Sequence, residues 1–236
     1  MNTSTGARPA LPRDPGTSTS LVVCDAAGRT FGHGSVAVVA VHGASCVVSS
    51  SSRVALVGPS GSGKSTLLQL MAGLDTPTSG SVSWPAWDSG PFQDPSRAGM
   101  VFQGLSLIPS ITAVENVAFP LLLQGFSHKQ AIALAIESLD LLAITGLADK
   151  LPEELSGGQA QRVAVARVVT SRPRLIFADE PTGQLDRVSG DRVIDVLLEA
   201  ADHLGAGLVL STHDAAVAGR LDQTWRMHDG ELVVAA

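Results

Sequence analysis

One unbroken nine-residue segment constrains the fold of this chain more than any other feature. It matches the pattern G-x-x-x-x-G-K-[ST] at every position, and its residues in order are Gly58, Pro59, Ser60, Gly61, Ser62, Gly63, Lys64, Ser65 and Thr66. An apolar run at 54–57 precedes it and a helical pattern at 66–72 follows it. Strand, glycine-rich loop and helix in that order predict an α/β core with a phosphate-binding loop.

The chemistry of this phosphate loop follows from its residue types. Glycines let the backbone wrap closely around a triphosphate, so that its N–H groups point inward. Lys64 can reach the β- and γ-phosphates, and the Ser65 hydroxyl can hold Mg²⁺. The alternative is a chance match in a Gly/Ser-rich turn. That alternative is disfavoured because the chain has only three lysines and one occupies the required position.

A second chemical feature is an apolar run at 175–178 that ends in Asp179 and Glu180. A parallel strand buried on both faces has no room for carboxylates, so they must emerge at its carboxyl end, where open α/β sheets bind ligands. Asp179 is then predicted to hold Mg²⁺, and Glu180 to act as the general base on a water molecule. A solvated acid pair at a strand end is the alternative, and the phosphate loop upstream argues against it.

A third feature is a possible second anion site. Ser156, Gly157, Gly158 and Gln159 precede a helical pattern, and a serine and two glycines at a helix start suit anion binding. An ordinary helix cap with a flexible turn is the alternative. One nucleotide needs only one phosphate loop, so the second is predicted to serve a nucleotide held by another copy of the chain.

Composition excludes several classes of protein. The net charge of −6 argues against a nucleic-acid-binding face, and no partner of that kind is expected. Residues 1–20 hold many Ser, Thr and Pro and no apolar core, which excludes a secretory signal and predicts a disordered tail. No segment qualifies as a membrane span. Cys24 and Cys46 are expected to be reduced, buried thiols rather than a disulfide or metal pair.

Strands alternate with helices along most of the chain, which predicts a mostly parallel sheet covered on both faces. Short strands separated by turns are predicted before the phosphate loop, at 21–24, 36–41 and 46–49. The segment at about 105–170 is mostly helical and rich in Leu, Ile and Ala, and Ser127 is a plausible cap within it. We expect a helical subdomain inserted into the α/β core, whose apolar surface is either internal core or a groove for a partner.

With these motifs in place, the chain resembles the nucleotide-binding subunit of an ABC transporter over residues 21–234. The segment 155–159, here called the signature segment, is the most specific mark of that superfamily. The resemblance implies one ABC ATPase domain at 21–236, with a P-loop NTPase core, an antiparallel β-subdomain and a helical subdomain. It also implies ATP hydrolysis and a head-to-tail homodimer that encloses two ATP molecules.

Further site residues follow from the resemblance alone. Gln103 would belong to a glutamine loop that contacts Mg²⁺ or the attacking water, and Asp186 to a loop that crosses the dimer interface. His213 would be the switch histidine that contacts the γ-phosphate. Phe31 lies 33 residues before Lys64, where the family places an aromatic ring that stacks on adenine, and a Phe ring suffices for stacking.

The segments 73–80, 107–117 and 178–183 are similar to those of the lipoprotein-release, macrolide-export and cell-division ATPases. This similarity implies an integral membrane permease as partner, and a peripheral location on the cytoplasmic face of the membrane. One alternative is a cell-division type ATPase that signals across the membrane to a wall hydrolase without transport. A soluble ABC ATPase acting on DNA or ribosomes is disfavoured, because those usually carry two cassettes or coiled-coil insertions.

Overall fold

Nine strands and six α-helices lie within residues 19–104 and 106–234, the part of the chain that the computed structural model describes. The strands are β1 Ser20–Phe31, β2 Val38–Ser49, β3 Arg53–Val57, β4 Ser79–Ser83, β5 Ala98–Val101, β6 Leu175–Asp179, β7 Gly207–Thr212, β8 Gln223–His228 and β9 Glu231–Val234. The helices are α1 Lys64–Ala72, α2 Ala113–Leu123, α3 His128–Leu141, α4 Gly157–Val169, α5 Arg187–Leu204 and α6 Ala215–Ala218. Most of the predicted tail lies outside the described residues, but Ser20 already belongs to β1.

The larger sheet has the order β5-β6-β7-β3-β8-β9. Its first five strands are parallel and β9 pairs antiparallel with β8, which confirms the predicted mostly parallel sheet. Every residue of β6 and β7 is buried. Ile176 and Ala178 point into the core shared with α2 to α5, whereas Leu175 and Phe177 point into the core shared with α1 and the smaller sheet. The alternation buries both faces, as a parallel sheet requires.

The smaller sheet is antiparallel, with the order β2-β1-β4. The prediction of two strands at 36–41 and 46–49 with a turn between them was wrong, because one strand, β2, runs unbroken from Val38 to Ser49 and Val36 lies in a short 3-10 helix before it. Gly43 adopts φ +65°, and the β1–β2 register shifts nearby, so the strand bends without leaving the sheet. Strand β4 was not predicted, since its sequence, SGSVS, has little of the apolar alternation that marks a strand.

The helical region lies between β5 and β6 and contains α2, α3 and α4. Each of these helices begins with a capping box, in which the N-cap side chain and the third helical residue bond each other's backbone N–H; the N-caps are Thr112, Ser127 and Ser156. The prediction for Ser127 is therefore confirmed. No helix within the described residues is both long and apolar enough to cross a bilayer.

Cys24 and Cys46 lie directly opposite each other on β1 and β2, and both are buried and free. A hydrogen bond with Cys24 and burial raise the pKa of the Cys46 thiol. A raised thiol pKa keeps the sulfur protonated and unreactive, which agrees with the predicted reduced, buried pair.

Candidate nucleotide-binding site

The phosphate loop connects the carboxyl end of β3 to the first turn of α1. Gly63, the residue before the helix, adopts φ +98°, and a β-carbon there would lie 2.1 Å from the Ala40 carbonyl oxygen. A β-carbon at Gly58 would lie equally close to the Met227 carbonyl oxygen, at 2.1 Å. The loop is thus held between β2 and the end of β8, and only glycine fits at these two points.

Lys64 is the first residue of α1 and is buried at the centre of the loop. Its Nζ donates to the carbonyl oxygens of Gly58 and Pro59, at 2.9 and 3.1 Å. The same ammonium lies 3.4 Å from Glu180 Oε1. Ser62 Oγ is buried in the same loop and has no hydrogen-bond partner among the residues that the structure describes. A buried ammonium beside an unpaired hydroxyl suits an incoming phosphate oxygen.

Asp179 ends β6 and is buried. Its Oδ1 accepts hydrogen bonds from two hydroxyl groups, that of Ser65 at 3.0 Å and that of Ser211 at 2.6 Å. The three side chains come from the phosphate loop and from the ends of two neighbouring strands, β6 and β7. They bring hard oxygen ligands together at the carboxyl edge of the sheet, the donor type that Mg²⁺ prefers.

Glu180 follows immediately and has a left-handed backbone, with φ +44°, which is uncommon for a residue other than glycine. Its backbone N–H donates to Ser211 Oγ at 2.9 Å, which fixes this conformation. Its Oε2 lies 2.9 Å from Nδ1 of His213, whose side chain is 66% exposed. The carboxylate therefore stands between a buried lysine and an exposed histidine, at the edge where a nucleotide would enter.

Gln103 follows β5 and is exposed. Its amide nitrogen lies beside Gly183, since a β-carbon on that glycine would come within 3.2 Å of it. The chain around Gln103 is bonded to α4 on both sides: Gln161 Nε2 donates to the Phe102 carbonyl oxygen at 3.1 Å, and Arg167 donates to the Ser106 carbonyl oxygen at 2.7 Å. The sequence analysis missed Gln161 and Arg167, which bond the segment around Gln103 from a distant part of the chain.

The signature segment forms the start of α4, where Ser156 is the N-cap residue. Gly158 packs against Ser189 of α5, where a β-carbon would lie 2.8 Å from the serine β-carbon. A cavity of about 110 Å³ opens at this helix start, lined by α4 and α5 residues only: Ser156, Gly158, Gln159, Arg162, Ser189 and Arg192. Burial lowers the pKa of Arg162, and the nearby charge of Arg192 lowers it further. The two arginines make the cavity positive, as an anion site would be.

Asp186 caps α5, where its carboxylate accepts from the Ser189 N–H at 3.0 Å. That hydrogen bond lowers the pKa of the Asp186 carboxyl. Phe31 ends β1 and is 42% exposed, with the guanidinium of Arg29 4.6 Å from its ring centroid. Its cross-strand partner is Val38, two residues from the Ala40 that touches the phosphate loop.

Comparison with known proteins decides the family. Residues 41–183 match the family model described as "ABC transporter". This chain belongs to the ABC transporter family. It is an ATP-binding subunit of that family, so the predicted ATPase is confirmed together with the resemblance on which it rested.

Among ABC relatives, the chain is similar to two kinds of curated protein. It is 39% identical to the lipoprotein-releasing system ATP-binding protein LolD of Shewanella denitrificans, over 91% of this chain and 95% of the relative. It is 41% identical to the uncharacterized ABC transporter ATP-binding protein YbbA of Escherichia coli K12, over 86% of this chain and 92% of the relative. The similarity to LolD agrees with the predicted subgroup.

Among solved ABC structures, the ATP-binding cassette MJ0796, determined as a dimer in a post-hydrolysis state with ADP and Pi, superposes with a TM-score of 0.81. The match has 33% sequence identity and covers 90% of this chain and 96% of that chain. The cbiO1 subunit from Clostridium perfringens superposes with a TM-score of 0.80 at 26% identity, over 91% of this chain and 87% of that chain. The predicted ABC-ATPase fold is confirmed.

Proposed function

We propose that this chain binds Mg²⁺ and ATP at the phosphate loop and hydrolyses ATP to drive a membrane permease. The observation that carries the proposal is the convergence of Lys64, Asp179, Glu180 and His213 at one edge of the sheet, within hydrogen-bond or ion-pair contact of one another or of Ser65. A lysine, a metal-binding carboxylate and a second carboxylate as base are the parts that phosphoryl transfer to water requires.

The residues at the loop fit both ligands. The Ser62 hydroxyl, which has no partner among the described residues, and the close backbone packing at Gly58 and Gly63 suit a loop that binds phosphate oxygens. Ser65 and Asp179, whose oxygen atoms lie 3.0 Å apart, would hold Mg²⁺, with Gln103 completing the set of protein ligands. Bound there, the metal would neutralise the charge of the β- and γ-phosphates.

Glu180 is the base in this proposal. Its carboxylate accepts a proton from the water whose oxygen bonds to the γ-phosphorus, while the bond from that phosphorus to the bridging oxygen breaks and ADP leaves. His213, 2.9 Å from the carboxylate, orients it and contacts the γ-phosphate. Lys64 stabilises the negative charge on the phosphate oxygens. The left-handed backbone at Glu180 aims its side chain toward this position.

The signature segment completes the site of a second copy. The cavity at Ser156 is lined only by α4 and α5 and is positive, so it suits the γ-phosphate of a nucleotide bound elsewhere. Gly157 and Gly158 would let the backbone approach that phosphate, and Gln159 holds the start of α4 through its bond to the Ser156 N–H, at 2.9 Å. Asp186, at the start of α5, lies beside this cavity. The dimeric structures of MJ0796 support such an assembly.

A permease would dock on the helical region. Phe119, Leu122 and Leu123 lie three and four positions apart on α2 and are exposed, as are Phe102 and Phe126. Several exposed apolar side chains on one helix favour a partner surface over internal core. The similarity to LolD suggests a lipoprotein-releasing permease, which would hold the chain on the cytoplasmic face of the membrane. Relatives named as transport proteins favour transport over the signalling alternative.

Glu180→Gln tests the proposal most directly. The amide keeps the shape of the side chain but cannot take the proton from water, so ATP should still bind while phosphate release falls by at least about 100-fold. Calorimetry and a phosphate-release assay measure the two quantities. Glu199→Gln, an exposed glutamate of α5, serves as the matched control and should retain both. Hydrolysis at the normal rate by Glu180→Gln would remove this residue from the role of base.

A further inference from the structure

Arg29, on β1, lies between a carboxylate and an aromatic ring, and its side chain is half-buried. Its Nε is 2.7 Å from Asp75 Oδ2, and its guanidinium carbon is 4.6 Å from the centroid of the Phe31 ring. Residues 29 and 31 share one face of β1 because side chains alternate along a strand. The arginine therefore covers one face of a ring whose side chain is partly exposed to solvent.

Asp75 connects Arg29 to α1, the helix that follows the phosphate loop. It follows the carboxyl end of α1 by three residues, and its Oδ1 accepts from the Thr76 N–H at 2.7 Å. Thr78 extends the connection: its N–H donates to the Gly28 carbonyl oxygen at 2.8 Å, and its hydroxyl accepts from the Thr30 N–H at 3.0 Å. The segment after α1 is thus bonded to β1 at several points.

The other end of α1 is fixed to the same pair of strands, since Gly63 packs against the Ala40 carbonyl oxygen of β2. The start of α1 therefore packs against β2, and the segment after its end is bonded to β1, the strand that carries Phe31. These contacts restrain the position of β1, and with it Phe31, relative to α1 and the phosphate loop.

We propose that Arg29 is a positioning residue for the nucleotide base, and that Asp75 holds it in place. With the guanidinium on one face, Phe31 offers only its other face, at a fixed height and tilt, to the adenine ring. The cation–π contact restrains the ring, and the Arg29–Asp75 pair restrains the cation. This inference rests on the proposed function, because it requires that Phe31 stack on the base. It also gives a role to Asp75, which lies in the segment 73–80 that the sequence comparison with the subgroup singled out but to which it assigned no function.

The competing explanation is that this half-buried ion pair only holds the segment after α1 against β1 and has no effect on the nucleotide base. The two explanations differ in what they predict for a ligand without a base. A positioning residue for the base affects ATP but not inorganic tripolyphosphate, which occupies only the phosphate loop. A structural pair affects both ligands or neither.

Calorimetry measures the affinity of each variant for ATP and for tripolyphosphate. The variants are Arg29→Gln, Arg29→Lys, Asp75→Asn, Phe31→Ala and the double variant Arg29→Gln/Phe31→Ala. We expect Arg29→Gln and Asp75→Asn to bind ATP about two- to fivefold more weakly, the scale of one exposed cation–π contact, with unchanged affinity for tripolyphosphate. Arg29→Lys keeps the charge and should recover part of the loss. In the Phe31→Ala background, Arg29→Gln should have no further effect. Arg220→Gln, which removes an arginine paired with Asp195 of α5, is the matched control and should bind like wild type.

The outcomes separate the two proposals. Equal weakening of ATP and tripolyphosphate by Arg29→Gln would overturn the inference, because the residue would then act through the phosphate loop. Normal ATP binding by Arg29→Gln alongside weaker binding by Phe31→Ala would also overturn it, while leaving Phe31 as the adenine contact. If Phe31→Ala binds ATP normally while Lys64→Ala does not, the adenine contact itself is misplaced, and the inference fails with that part of the proposed function.

Discussion

At the scale of single residues, Asp179 carries the most connections in the site. One of its oxygen atoms accepts hydrogen bonds from both Ser65 and Ser211, which come from different elements of the core. Ser211 in turn accepts from the Glu180 N–H. The proposed metal site, the candidate base and the phosphate loop are therefore coupled through one buried carboxylate, and a change there should alter metal use before it alters the fold.

Asp179→Asn tests that coupling. The Asn carbonyl oxygen can still accept both hydroxyl protons, but the negative charge that attracts a divalent cation is lost. We expect Mg²⁺-dependent hydrolysis to fall by roughly 10- to 100-fold, while nucleotide binding measured in a chelator changes little. Asp202→Asn, on the surface of α5, is the control. Equal loss of binding and hydrolysis, with a normal circular dichroism spectrum, would contradict a metal role.

At the scale of elements, the capping boxes determine where the helices of the inserted region begin. At α2, the Thr112 N–H and hydroxyl donate to the Glu115 carboxylate, each at 2.7–2.8 Å. These hydrogen bonds lower the pKa of Glu115 below its usual value. A carboxyl with a lowered folded-state pKa stabilises the fold above its unfolded-state pKa, and the contribution is lost as the pH falls through the lowered value.

Thr112→Val should therefore destabilise the chain. The change keeps the shape of the side chain and removes the hydroxyl that caps α2, which costs about 0.5–2 kcal/mol in the free energy of unfolding. Urea denaturation at neutral pH measures the loss, and the difference from wild type should shrink at acidic pH, where Glu115 becomes protonated. Thr145→Val, at an exposed threonine of the same region, is the control. A pH-independent difference would show that the bond from the Thr112 hydroxyl to the Glu115 carboxylate contributes nothing to stability.

At the scale of the whole molecule, the chain has a phosphate loop and a separate cavity at Ser156, and the residues that line this cavity come from the starts of α4 and α5 rather than from the phosphate loop. The signature helix α4 also bonds the chain around Gln103 through Gln161 and Arg167. In a dimer, a phosphate bound at Ser156 would therefore act on the same helix that positions the glutamine loop of its own copy. Two sites that complete each other across an interface favour a dimer that forms with ATP.

The dimer is testable in the Glu180→Gln variant, in which ATP is not consumed. With millimolar ATP and high protein concentration, size-exclusion chromatography with light scattering should show a dimer, and without ATP a monomer. Adding Ser156→Arg should restore the monomer, because the long side chain fills the anion cavity. Adding Ser127→Arg instead is the matched control, since Ser127 caps α3 with the same capping box. If the Glu180→Gln variant stays monomeric with bound ATP even in the presence of its permease, the proposed ATP-enclosing homodimer is wrong.

The sequence by itself determined the local parts of this protein. Strand β3 contains the apolar run at 54–57, α1 follows the phosphate loop as expected, and Asp179 lies at the end of its strand. These features depend on residues that are neighbours in the chain: glycines in a turn, a lysine at a helix start, acids after an apolar run. The family resemblance added the order of the motifs, and with it the fold and the ATPase.

Only the tertiary structure decided the features that depend on distant residues. Strand β2 continues through Gly43 because β1 pairs with it along its length, although the local sequence indicates a turn. Arg29 meets Asp75 across 46 positions, and Gln161 and Arg167 reach the chain around Gln103 across 59 and 61. No local pattern predicts such contacts. The sequence around a charged or amide side chain does not show whether that side chain faces water or a loop from another part of the fold. The phosphate loop can therefore be predicted from the sequence alone. The contacts that hold the surrounding segments in place depend on how distant parts of the chain pack together.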